Sequence, residues 1–84
     1  MLVPYIHSFE NRADFEKFIN HYVYISKNLL SVEIKWEGDE DYYWDSTDEV
    51  IMRFRNQKTH TINSNGASLP YIFDLIVLYE KELG

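Results

Sequence analysis

From residue 11 onward the apolar positions follow first one period and then another. Phe15, Phe18, Ile19, Tyr22, Ile25 and Leu29 recur at steps of three and four, with Glu16, Lys17, Asn20, Lys27 and Asn28 opposite. This spacing predicts an amphipathic helix of about 18 residues. Asn11 is placed to cap it, and Asp14 to complement the positive end of its dipole. The run Tyr22-Val23-Tyr24-Ile25 has strand propensity and works to shorten it. At Leu30 the period becomes two: Leu30, Val32, Ile34 and Trp36 alternate with Ser31, Glu33, Lys35 and Glu37, a half-buried strand that Gly38 ends. A second strand sets Val50, Met52 and Phe54 inward and Ile51, Arg53 and Arg55 outward. Asn56 to Lys58 turn the chain into a third strand, Thr59 to Asn63. A three-residue loop there pairs Phe54 with His60 and Met52 with Ile62, whereas a two-residue loop would set them opposite threonines.

After the turn cluster Asn63-Ser64-Asn65-Gly66-Ala67, Ser68 is the expected N-cap of a last helix, Leu69 to Leu83, with Pro70 tolerated in its first turn. This helix is apolar around most of its circumference and is expected to lie at the centre of the core. Residues 1–7 (MLVPYIH) are β-prone, but Pro4 removes a donor, so a fourth, edge strand or a packed arm fits them. The expected architecture is one α+β domain over residues 1–84: helix, three-stranded antiparallel meander, helix.

Length and composition bound this picture. A chain of 84 residues with 45% hydrophobic content makes one small folded domain, with an adequate core. It has no cysteine, so no disulfide or thiolate metal site is available. The N-terminus has no basic region followed by an apolar run, so no signal peptide is read there. Leu69 to Tyr79 is too short to span a bilayer. A soluble, cytoplasmic protein is expected.

The charge is where the chain departs from an ordinary small domain. The net charge is -6, from 14 acids and 8 bases. Seven of those acids, Glu37, Asp39, Glu40, Asp41, Asp45, Asp48 and Glu49, lie between residues 37 and 49, a window with no Lys or Arg. Removing them leaves seven acids against eight bases, so the excess is local. Like charges about 7 Å apart repel by ~0.6 kcal/mol per pair in water, so the run strains the fold slightly. A loop that only keeps the protein soluble would account for the acids. It would gain nothing from Tyr42, Tyr43 and Trp44 at their centre, since exposed rings cost solubility. Acids interleaved with rings suit a basic surface, where carboxylates meet Arg and Lys while the rings act as anchors or stack on guanidinium planes. The same negative sign argues against direct binding to nucleic acid or to an anionic membrane.

Catalysis has little to stand on. His7, His21 and His60 lie in different elements without metal or triad spacing. There is no phosphate-binding glycine loop, nucleophile elbow or HExxH. Asp39, Asp41 and Asp45 echo the spacing of a calcium loop, but Tyr43 stands at its fifth position and Trp44 where glycine is required. No catalytic residue, metal or cofactor is assigned.

Residues 43–52, YWDSTDEVIM, resemble the turn and following strand of the phage uracil-DNA glycosylase inhibitors, which have a similar Ser-Thr-Asp-Glu run before a Val/Met strand. The resemblance covers ten residues. The inhibitors' Glu-Ser-Ile strand is not matched, since Ser31-Val32-Glu33-Ile34 has another order, and membership is not assigned. Such a resemblance implies a nucleic-acid mimic that blocks an enzyme's basic groove, as phage anti-CRISPR proteins also do as a class. The expectation is therefore an acidic inhibitor, monomer or homodimer, that docks through residues Glu37, Asp39 to Asp45, Asp48 and Glu49. The alternatives are an immunity protein or antitoxin against a nuclease toxin, and an oligomeric adaptor whose acidic loop is incidental.

Overall fold

A computed structural model describes residues 9–84, apart from the side chain of Tyr42. The order of elements is α1 (Arg12–Ile25), β1 (Leu29–Trp36), α2 (Glu40–Tyr43), β2 (Thr47–Phe54), β3 (Thr59–Asn63) and α3 (Leu69–Leu83). The strands form one antiparallel sheet in the order β1-β2-β3. This is the expected α+β fold. The proposed N-terminal edge strand lies outside the described residues.

The two long helices lie on one side of the sheet. The buried core joins Phe15 and Ile19 of α1 and Leu29 of β1 to Val50, Met52 and Phe54 of β2. Ile62 of β3 and Leu69, Ile72, Phe73 and Ile76 of α3 complete it. Most of the chain's aromatic content is used here. Phe9 packs edge-on against Phe15 and Phe18, Phe18 and Tyr22 against Phe73, and Phe15 against Trp36, with centroids 4.9 to 6.1 Å apart. The opposite face of the sheet is polar, with cross-strand pairs Arg53–Glu33 at 3.1 Å and Lys35–Glu49 at 3.8 Å.

Local signals set both long helices. Asn11 caps α1 by accepting from the Asp14 amide, and Ser68 caps α3 by accepting from Tyr71, with Pro70 in the first turn. However, α1 has 14 residues, fewer than its periodicity predicts. Ser26 ends it in an extended conformation, and its side chain explains why. The Ser26 hydroxyl donates to Glu80 of α3 and accepts from the amides of Asn28 and Leu29, so it turns the chain directly into β1. The Tyr22 hydroxyl donates to the other carboxylate oxygen of Glu80, fastening the two helices. Leu29 is therefore buried as the first residue of a strand, not the last of a helix.

Two irregularities shift the strand pattern. Leu29 faces Phe54 and Ser31 faces Arg53, so Leu30 is the extra residue of a bulge and is 56% exposed, contrary to the expected inward position. Lys35 faces Glu49 and Trp36 faces Thr47, which leaves Asp48 as a second extra residue. That bulge lets Thr47 and Val50 both face the core while the consecutive acids Asp48 and Glu49 stay outside. The β2–β3 hairpin also differs from expectation. Met52 faces His60 and Val50 faces Ile62, two residues from the predicted register but on the same face. The loop is Arg55 to Gln57, with Gln57 in the left-handed region at φ 73°.

The start of β2 is tied to the turn before α3. The Thr47 hydroxyl donates to Ser64 at 2.5 Å, and both residues are buried. The amides of Ser64 and Gly66 donate to the carbonyls of Asp48 and Thr47. Ser64→Ala should strand a buried hydroxyl on Thr47 and cost about 1–3 kcal/mol. Adding Thr47→Val should recover part of that, which chemical denaturation of the three variants would measure as a coupling energy.

Candidate functional site

The acidic window is a closed loop followed by the first turn of a strand. The Glu37 amide donates to the Ser46 carbonyl at 2.8 Å, sealing the neck of a ten-residue excursion, residues 37–46. Gly38 takes a φ of 61°, which lets the chain leave β1 sharply. Asp39 then caps the short helix α2, accepting from the Asp41 amide, and Trp44 ends it.

What orders this loop is a residue that sequence reasoning did not single out. Arg12, the first residue of α1, reaches across to it. Its Nε donates to the Trp44 carbonyl at 2.8 Å, and its Nη2 approaches the carbonyls of Glu37, Gly38 and Tyr43 at 3.0, 3.2 and 3.2 Å. The guanidinium also lies 5.1 Å from the centre of the Trp36 ring, a cation–π distance. Trp36 Nε1 in turn donates to Glu16 of α1 at 3.0 Å. One planar fork thus satisfies carbonyls from both arms of the loop, which a point-like ammonium could not do. A signal for it existed: a cation in the first turn of a helix opposes the macrodipole and needs another reason to be there.

The carboxylates are left outside this clasp. Glu37, Asp39, Glu40, Asp41, Asp45 and Asp48 are exposed. Among the described residues only Glu49 of the seven lies in ion-pair range of a lysine or arginine, 3.8 Å from Lys35. Arg12 meets backbone carbonyls, not carboxylates. The window therefore presents its carboxylates on a backbone held by Arg12 and by the Glu37–Ser46 hydrogen bond.

Its rings divide. Tyr43 is 65% exposed, whereas Trp44 is half-buried and packed against the hydrophobic core. Tyr42 contributes backbone to α2. Trp44 is thus the foot of the loop, and Tyr43 is the more exposed of these two rings. Trp44→Ala should lower stability by roughly 2 kcal/mol in a denaturation experiment, while Tyr43→Ala should change it by less than about 1 kcal/mol.

Among the described residues no three His, Asp or Glu side chains come together in a group able to hold an ion. His21 and His60 lie apart, on α1 and β3, and His60 packs against Tyr79 with centroids 4.1 Å apart and the rings tilted by 41°. Among the described residues no helix is long and apolar enough to cross a membrane. Compared with models of protein families, with curated proteins and with solved structures, the chain matches none.

Proposed function

We propose that this protein is a stoichiometric inhibitor, not an enzyme, and that its acidic loop imitates nucleic acid in the basic groove of a DNA- or RNA-binding enzyme. One observation supports the reading above the others. The loop is sealed at its neck and clasped by Arg12, yet six of its seven window carboxylates have no cationic side chain beside them among the described residues. Repelling charges held without neutralisation cost stability, so their use lies in meeting positive charge elsewhere. Ordering the backbone before contact lowers the entropy lost on binding. Duplex DNA carries about one negative charge per 1.7 Å of axis, and a groove evolved for it offers Lys and Arg to any acidic surface that fits. Tyr43 supplies the ring that fills a gap or stacks on a guanidinium, and the loop's partner is a cytoplasmic nucleic-acid enzyme.

An immunity protein or antitoxin would use the same surface against a nuclease toxin, so it is a variant of this reading. An oligomeric adaptor rests instead on α3, where Tyr71 and Leu78 are exposed. Capture from a candidate host lysate on immobilised protein separates these. The inhibitor reading expects a basic nucleic-acid enzyme that a short duplex DNA releases in competition. A captured protein that DNA does not displace and that survives high salt contradicts it.

A further inference from the structure

In the order β1-β2-β3, β1 has no second neighbouring strand among the described residues, and it is eight residues long. An edge of that length normally carries a device against pairing. The bulge at Leu30 interrupts the start of this edge, but from Ser31 to Trp36 the strand is regular, and that stretch is matched to itself. We propose that two copies of this chain join through β1, antiparallel, on a two-fold axis through Ile34, to form one continuous six-stranded sheet.

Three features of β1 converge on this register. The first is charge. Setting Ile34 opposite Ile34 of the second copy places Glu33 opposite Lys35 and Lys35 opposite Glu33. Both side chains are exposed on the open face of the sheet. Each already has an intrachain partner of opposite sign, Arg53 for Glu33 and Glu49 for Lys35. The join would therefore extend an alternating row, Arg53, Glu33, then Lys35 and Glu49 of the other copy, with no like charges opposed. The second is apolar matching. The same register sets Val32 opposite Trp36 on the helix-covered face, and all of Val32, Ile34 and Trp36 are only half-buried. A groove of about 360 Å³ lies beside this edge, lined by Glu16 and Asn20 of α1 with Val32, Glu33 and Ile34 of β1.

The third is the main chain. The Glu37 amide bonds inward, to Ser46 on the β2 side. Backbone groups alternate in direction along a strand, so those of Val32, Ile34 and Trp36 face the open edge. Those are the residues whose pairs the proposed axis would join, giving up to about six new hydrogen bonds. Such an interface is isologous, as closed two-fold dimers require. An axis between two residues fails because it opposes outward-facing to inward-bonded backbone, and an axis moved by one residue keeps the main-chain pairing but sets Glu33 opposite Glu33, or Lys35 opposite Lys35, like charges directly opposed. The assembly is independent of what the acidic loop binds, although it would present two such loops with their starts roughly 20 Å apart.

A pair of single reversals tests this. Glu33→Lys makes the axis wholly positive and Lys35→Glu makes it wholly negative. Each alone turns two attractive contacts into repulsive ones and should weaken dimerisation by about 10- to 100-fold. Mixed in equal amounts they should form a heterodimer, because the all-positive edge of one variant then meets the all-negative edge of the other at both contacts. Sedimentation of wild type, each variant and the mixture gives the masses, with circular dichroism confirming that each is folded. In wild type, exchange of the Val32, Ile34 and Trp36 amides should slow as concentration rises, a readout that needs no variant. Wild type that stays monomeric at about 0.5 mM overturns the proposal. So do variants that dimerise as well as wild type, or a mixture that does not pair.

Discussion

Replacing Glu40, Asp41 and Asp45 together by lysine should abolish partner binding and leave the fold intact. The three side chains are exposed, and none forms an ion pair among the described residues. Their reversal takes the formal net charge from -6 to zero, because each site changes by two units. Within the protein this relieves repulsion of ~0.6 kcal/mol per close pair and removes the small benefit of acids at the start of α2, so the two effects nearly cancel. At a basic groove the same change opposes like charges, and the loss should be at least about 3 kcal/mol, a hundredfold or more in affinity. Asp39 is left in place because it caps α2, and losing a cap costs about 1 kcal/mol on its own. Binding measured alongside a denaturation curve separates the two outcomes. A variant that unfolds, or one that binds as before, would show that the window is structural or incidental.

Arg12→Ala should have the largest effect on the loop itself. The substitution removes four donor contacts to carbonyls and the ring contact with Trp36. Hydrogen bonds from a charged donor are worth about 1.5–3 kcal/mol each when fully made, but the site is partly exposed and water replaces some of them. Deleting a cation from the first turn of α1 also gains about 0.3–1 kcal/mol from the macrodipole. A net loss of roughly 2–3 kcal/mol is expected, with faster amide exchange confined largely to residues 37–46. Arg12→Lys should recover less than half of the loss, because a single ammonium cannot span carbonyls from Glu37 to Trp44. Unchanged stability and exchange in the alanine variant would mean that the loop is ordered by something other than this clasp.

The parts of the fold that could be read from the chain are those fixed by neighbours in sequence. Asn11 and Ser68 cap the helices they precede, and α3 has the bounds expected of it, Leu69–Leu83. The alternation of Val50, Met52 and Phe54 places β2 in the core. The misreadings each have a distant or disguised cause. Leu29 fits the helical period, but Ser26 is held by Glu80, more than fifty residues away, and the helix stops there. Leu30 and Asp48 are bulge residues, and a bulge belongs to a pair of strands, not to one. The hairpin register slipped by two because its left-handed position is Gln57, where glycine or asparagine would have marked the turn.

For the candidate site, the charge and its confinement were legible, since both are properties of composition. Which ring faces outward was not. Tyr43 and Trp44 are adjacent, yet the short helix α2 carries one to the surface and sets the other against the core. Arg12 was hidden for the same reason as Ser26: the contact spans 32 residues.

The claim on which the proposed function depends is that the loop's charge is exposed, held in place and directed at a positive surface. The affinity of the captured partner, measured across a salt series for wild type and for the triple lysine variant, tests it most directly. A steep fall in wild-type affinity as salt rises is predicted, with no such dependence in whatever binding the variant retains. A wild-type affinity that is flat across the series, or one that the variant reproduces, would contradict it.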